Sequence, residues 1–280
     1  MSSMLKLLST TLLLSSLAYA SSTPSEKIED FLSDEFSDNP RIESVNVKVE
    51  DIVPLKDLKG WNAYIVDVKA ELKSKLKKKE KIEQKMIWFS DGTMITKTLT
   101  NMNTLANMTE VVKPPFKDKF YKKENLIYGS ANAKHKIVFF SDPLCPFCRG
   151  FVPGAIKDMK QNPEKFAIYY YHLPLNRIHP ASVTIVKAAT AAELQGVKDV
   201  VLKMYAIKIS PRETNVNKIL TAFNKAVGTN ITPKDIKDKK VLDIIKNDVG
   251  VAKDLFVAGT PTVYLDGKID KTKKKYKTVK

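Results

Sequence analysis

From Lys136 to Ser141 the chain reads KIVFFS, and from Lys165 to Leu173 it reads KFAIYYYHL. Apolar runs of this length predict two central strands covered on both faces of a sheet. Other stretches alternate with a period of two: Val45, Val47 and Val49, then Tyr64, Val66, Val68, Ala70 and Leu72. That spacing predicts half-buried strands. Ile82 to Phe89 and Met94 to Leu99 add two more, joined across the hairpin signal Asp91-Gly92, with the Lys-rich stretch Lys73 to Lys81 read as a turn. Ile28, Phe31, Leu32 and Phe36 form the apolar stripe of a helix capped by Ser25 and stopped at Asn39-Pro40. Helices are also predicted over Thr104 to Val112, Pro146 to Gln161, Ala181 to Leu194, Val197 to Ile209 and Asn217 to Ala226. Thr232 then caps a last helix, with Pro233 at its first position, that runs to Phe256. Pro153 and Gly154 predict a kink in the helix that contains them.

The order of these elements predicts an α+β protein of two domains. A helix and a run of strands fill residues 21–101, and residues 102–123, interrupted by Pro114-Pro115, form a helical linker. Residues 124–280 follow, opening with a short edge strand, Asn125 to Tyr128. The two apolar strands and the helix between them make a parallel βαβ unit, and the helices of about 179–230 are an insert.

Composition changes the picture mainly at the ends. Lys6 precedes the apolar run Leu7 to Leu17, which is followed by Ala18-Tyr19-Ala20. This is the pattern of a secretory signal peptide, residues 1–20, cleaved after Ala20, and the run is too short for an ordinary membrane span. The mature chain of roughly 260 residues, enough for two domains, is then expected outside the cytoplasm, where disulfides form and persist. With 47 Lys+Arg against 31 Asp+Glu the net charge is +16. For an exported protein this describes a solvated basic surface rather than a nucleic-acid partner, and no aromatic-basic alternation suggests stacked bases. The tail Lys271 to Lys280 is expected to be solvated and disordered.

Cys145 and Cys148, in Asp142-Pro143-Leu144-Cys145-Pro146-Phe147-Cys148, are the only two cysteines. They stand where the first apolar strand runs into a helix. With Cys145 at the N-cap and Pro146 at the first helical position, an exposed sulfur meets free backbone N–H groups and the positive end of the helix dipole, which stabilise a thiolate. Cys148, one turn on and more buried, is placed to attack a mixed disulfide formed at Cys145. Zinc needs about four ligands, and two Cys with three scattered His do not supply them. Arg149 after Cys148 excludes a haem-attachment motif. A structural bridge across so short a loop would restrict the unfolded chain little. Redox chemistry remains, with no cofactor beyond the Cys145–Cys148 disulfide itself. Asp142 has two readings, a proton relay to Cys148 or a turn-capping carboxylate. His172 and His179 likewise are proton donors near the site or ordinary polar positions.

Downstream, Gly259-Thr260-Pro261 precedes a strand and the turn Asp266-Gly267. After a CxxC pair this resembles the cis-proline loop of the thioredoxin superfamily, which would set Thr260 backbone groups beside the Cys145 sulfur. Together with the leader and the N-terminal α+β unit, the chain resembles the DsbC/DsbG group of periplasmic thiol-disulfide proteins. The motif resemblance covers about residues 139–267 and is architectural for the N-terminal domain. It implies a thioredoxin-like redox domain with a helical insert, preceded by a small cystatin-like dimerisation domain and a helical linker. It also implies a periplasmic homodimer that exchanges disulfides with secreted client proteins held by Thr260 and Pro261. A membrane redox partner would recycle it, a DsbD-like reductase or a DsbB-like oxidase. Isomerase or reductase is the leading expectation; a dithiol oxidase and a dimeric chaperone with secondary redox activity are the alternatives. Phe147 departs from the Tyr typical of DsbG-like and the His of DsbA-like enzymes, and so offers neither a proton nor a cation to the thiolate.

Overall fold

The computed structural model describes residues 23–56, 58–73 and 80–279. The leader and its cleavage position lie outside the described residues, as does most of the Lys73 to Lys81 turn. The chain divides into two compact units between Lys97 and Thr98.

In the first unit, helix α1 (Pro24–Ser37) lies on an antiparallel sheet of β1 (Ile42–Pro54), β2 (Asn62–Leu72), β3 (Glu80–Ser90) and β4 (Ile95–Thr96), in that order. The helix starts earlier than the Ser25 cap predicts. Thr23 is the cap: its hydroxyl accepts from the Glu26 amide, and the Glu26 carboxylate accepts from the Thr23 amide at 2.7 Å. Pro24, pre-set for a first helical position, completes this capping box. Ile28 and Leu32 bury against Val47, Tyr64, Val66 and Val68, whereas Phe31, expected on the same stripe, is 47% exposed. Lys69–Glu83 and Lys81–Glu71 pair across β2 and β3 in solvent, where such bridges contribute little.

The second unit opens with a ribbon of β5 (Thr100–Asn101) and β6 (Ala106–Asn107) and the short α2 (Met108–Val111). The segment 102–123 is therefore not a helical linker. Beyond α2 it runs without regular structure to Lys117 and then makes a single 3-10 turn, Asp118–Phe120, packed on the rest of the second unit, because Phe116 and Phe120 bury among Phe140, Tyr171 and Tyr264. The Phe116 amide also donates to the Gly267 carbonyl at 2.7 Å. Burying two aromatic rings outweighs what a Pro-broken helix could contribute.

The main sheet is built from β7 (Leu126–Tyr128), β8 (His135–Ser141), β9 (Phe166–His172), β10 (Thr262–Leu265) and β11 (Lys268–Ile269), in the order β11-β10-β8-β9-β7. β8 and β9 are parallel, Ser141 opposite His172, joined through α3 (Pro146–Lys160). Both strands are buried on both faces, as their unbroken apolar runs require. α3 runs on through Pro153.

On the α3 side the core is completed by α4 (Pro180–Leu194), α5 (Val200–Met204) and α6 (Val216–Val227), and on the opposite side by α7 (Lys239–Asp254). α5 is much shorter than the predicted 197–209, its cap Asp199 holding a left-handed φ of 58° and binding Tyr128 and Lys160. Thr232 does not start the last long helix. Its amide and hydroxyl donate to Asp235, closing a local turn, and Asp238 caps α7. The basic tail is ordered into the unit: Asp270 accepts from the Thr272 and Lys275 amides, and buried Tyr276 donates to Asp158 at 3.1 Å.

Candidate active site

Cys145 caps α3 without spending its side chain on a capping bond, and Pro146 occupies the first turn. Its sulfur thus stands at the positive helix end. The residue is only 4% exposed, less open than the sequence pattern implies, because the loop before β10 covers it. The Thr260–Pro261 bond in that loop is cis, and the Cys145 thiol donates to the Thr260 carbonyl at 3.6 Å. Phe147 is 77% exposed. Its ring flanks the site without touching its chemistry. Cys148 is fully buried, and burial pushes its thiol up to about 11. Hydroxyls of Ser141 and Thr260 and a backbone bond at Asp142 work against that shift, while Cys145 adds to it. Both cysteines are free thiols.

Asp142 is the fixed point of the turn into α3. Oδ1 accepts from the amides of Leu144 at 2.7 Å and Cys145 at 3.1 Å and from the Ser182 hydroxyl at 2.7 Å. Oδ2 accepts from the Leu175 amide at 2.7 Å and faces Nδ1 of His179 at 3.2 Å. With every such contact directed to the loop or to α4, Asp142 reads as the turn-capping carboxylate. His179 belongs to its support rather than to the sulfurs. Arg149 ties the same turn from the other side, donating to the carbonyls of Pro143 at 2.8 Å and Ile207 at 2.7 Å.

Behind Cys148 lies a chain of hydroxyls that sequence reasoning missed. Ser141 Oγ and the Tyr205 hydroxyl are 2.6 Å apart, and the Tyr205 and Tyr170 hydroxyls 2.8 Å. The only advance signal was a serine ending an apolar strand; Tyr205 comes from the insert. His172 stands elsewhere. Its amide donates to Asp248 at 2.9 Å, and its ring lies 3.9 Å from Glu193.

Beside the sulfurs a groove of about 420 Å³ is lined by Phe147, Phe151, Thr260, Pro261, Lys273 and Lys274. The basic tail therefore forms one wall of the site.

Residues 121–280 match the family model described as Thioredoxin. Among curated proteins the chain is similar to the Na(+)/H(+) antiporter NhaA 1 of Mycobacterium sp. strains KMS and JLS, at 27% identity over 148 residues, 51% of this chain and 23% of theirs. It thus spans less than a quarter of the length of these relatives, and among the described residues no helix is long and apolar enough to cross a membrane. Among solved structures it is similar to oxidised BdbD from Bacillus subtilis, with 17% identity, 59% of this chain and 92% of that chain covered, and a TM-score of 0.47. The catalytic domain of Proteus mirabilis ScsC gives 19%, 56%, 88% and 0.44. The thiol-disulfide exchange protein alpha-DsbA2 from Wolbachia pipientis gives 22%, 55%, 82% and 0.44. The family match takes in more than half of the chain, including both cysteines and the cis-proline loop, and the protein belongs to the thioredoxin family.

Proposed function

We propose that the protein is an exported thiol-disulfide oxidoreductase that exchanges disulfides with client proteins, working as a DsbC/DsbG-type reductase or isomerase. One observation carries the reading: Cys145 caps a helix beside the Thr260 carbonyl of the cis-proline loop, with Cys148 buried one turn behind it. The Cys145 thiolate attacks a client disulfide, forming a mixed disulfide and releasing one client thiolate. Cys148, deprotonated, then attacks the Cys145 sulfur. The Cys145–Cys148 bond forms, the bond to the client breaks, and the second client thiolate takes up a proton. Two electrons pass from the dithiol to the client, and a membrane redox partner restores the dithiol.

The reductive direction is favoured by Phe147, which brings no cation to the Cys145 thiolate. A less stabilised thiolate makes a less oxidising disulfide. The groove beside the sulfurs suits an extended client segment, its apolar side chains against Phe147 and Phe151 and its backbone along Thr260. Dimerisation through the N-terminal unit is part of the proposal, supported by β1, which pairs only with β2 among the described residues and leaves one long edge open. An export leader at residues 1–20 supplies the compartment.

The test combines trapping and redox state. Cys148→Ser is expected to accumulate client mixed disulfides at Cys145, and Cys145→Ser to form none. Alkylation in cells is expected to find the wild-type pair mostly reduced. A mostly oxidised pair would make the protein a dithiol oxidase instead. Sedimentation of the mature chain as a monomer would remove the dimer.

A further inference from the structure

We infer that Lys113 is a positioning residue for client binding: together with Phe116 it holds both ends of the segment that carries Thr260 and Pro261, and so sets where that loop lies over Cys145. The inference rests on the exchange reading given above.

The Thr260 loop is poorly held from within. It runs from Phe256, just past the end of α7, to Thr262 at the start of β10. Among the described residues no backbone bond ties the amides of Ala258, Gly259 or Thr260, and the internal tie is a side chain, the Thr262 hydroxyl donating to the Gly259 carbonyl at 2.7 Å. The position of the loop is therefore inherited from its flanks. One short stretch, Lys113-Pro114-Pro115-Phe116, reaches both of them. Upstream, the Lys113 ammonium donates to the Phe256 carbonyl at 2.7 Å. Downstream, past β10, the Phe116 amide donates to the Gly267 carbonyl at 2.7 Å. All of these residues belong to the second unit.

Each flank suits the partner it receives. Phe256 holds a left-handed φ of 50° beyond α7, where its amide and that of Val257 donate back to the Lys253 and Ala252 carbonyls and close the helix end. The Phe256 carbonyl stays outside that ladder, and the negative end of the helix dipole favours a cation there. A lysine answers both demands. Gly267 has a left-handed φ of 76°, and a Cβ on it would come within 3.1 Å of the Phe116 carbonyl, so the turn and the strap are in close contact. Between the two bonds stand Pro114 and Pro115, whose rings fix φ and make a stiff spacer. The two flanks are thus kept at a set separation.

The consequence falls on client binding rather than on the sulfurs. A client backbone paired along Thr260 needs the loop at the right height, whereas Cys145 and Cys148 are placed by α3 and the Asp142 turn, neither of them bonded to Lys113. Single-turnover reduction of two substrates separates the effects. One is a disulfide-closed peptide; the other is a small aromatic disulfide that has no backbone to pair and releases a coloured thiol. Lys113→Met keeps the stem and removes the charge and the donor. It is expected to raise the peptide concentration at half-maximal rate about fivefold, with the limiting rate and the rate on the aromatic disulfide within about twofold of wild type. Lys113→Arg, which can still donate to the Phe256 carbonyl, is expected to recover most of the loss. Pro114→Ala with Pro115→Ala keeps both bonds and loosens the spacer, and is expected to shift the half-maximal concentration the same way by less. Equal slowing on both substrates, or a half-maximal concentration that Lys113→Met leaves unchanged, would overturn the inference although the exchange reading stands. If wild type itself reduces neither substrate, the exchange reading has failed first.

Discussion

β8 and β9 are parallel neighbours that end in register, Ser141 opposite His172, and each delivers its end to a buried carboxylate. Asp142, at the end of β8, accepts from three amides and a hydroxyl and faces His179. Asp248, reached by the end of β9, accepts from the Asn125 side chain at 2.8 Å and the His172 amide at 2.9 Å. Asn125 Oδ1 and His172 Nδ1 are buried without partners nearby. Burial pushes the Asp248 carboxyl up to about 6, with His172 and Asn125 opposing the shift only in part. The contrast teaches what a fixed redox turn needs. A buried carboxylate becomes a rigid anchor when donors surround it, and a pH-sensitive weak point when they do not.

The largest expected effect comes from removing the well-satisfied anchor. Asp142→Ala strands several buried donors and is expected to cost about 3–5 kcal/mol of stability, read by urea unfolding of the full chain. The same variant is expected to lose most of its exchange rate with a peptide disulfide, because the Cys145 amide keeps only the backbone carbonyl of residue 142 as acceptor and the Leu144 amide loses its side-chain acceptor. Asp142→Asn keeps one carbonyl oxygen and falls between the two. An Asp142→Ala protein with wild-type stability would remove the anchor from the account.

The next effect tests the other end. Below about pH 4 the Asp248 carboxyl is protonated in both folded and unfolded chains. As pH rises toward 6 the unfolded chain releases that proton while the folded one keeps it, so this group's contribution to stability falls and is lost above about 6. The drop is expected to be on the order of 2–3 kcal/mol between pH 4 and 7. Asp248→Asn should flatten that slope in a comparison of urea midpoints. A wild-type curve parallel to that of the variant would mean that Asp248 titrates alike in both states.

The smallest effect concerns the groove. Lys273→Gln with Lys274→Gln is expected to slow exchange with a peptide carrying glutamates beside its disulfide roughly two- to fivefold, in the range of exposed charge pairs. Added salt should erase the difference. Equal slowing with a glutamine peptide would assign these lysines a structural role instead.

Sequence legibility followed the range of the interactions. The two buried strands, the helix between them and the Thr-Pro loop were readable because each depends on neighbours a few residues away. Thr23 was equally local and still missed, since Pro24 at the first helical position and Glu26 in the box pointed to it rather than to Ser25. The packing of Phe116 and Phe120 was not readable, because it depends on a sheet face built by residues far along the chain. Tyr276 is similar: a lone aromatic in a lysine run was the only hint that the tail is anchored. The Tyr205–Ser141 bond joins residues 64 positions apart, and no spacing rule reaches that far.

The central claim is that two thiols a turn apart have been given different tasks, and timed alkylation of the fully reduced protein tests it most directly. With limiting iodoacetamide at neutral pH, peptide mapping is expected to find label on Cys145 first and on Cys148 only after unfolding. Equal labelling of the two cysteines in the folded protein, or labelling of Cys148 first, would contradict the account.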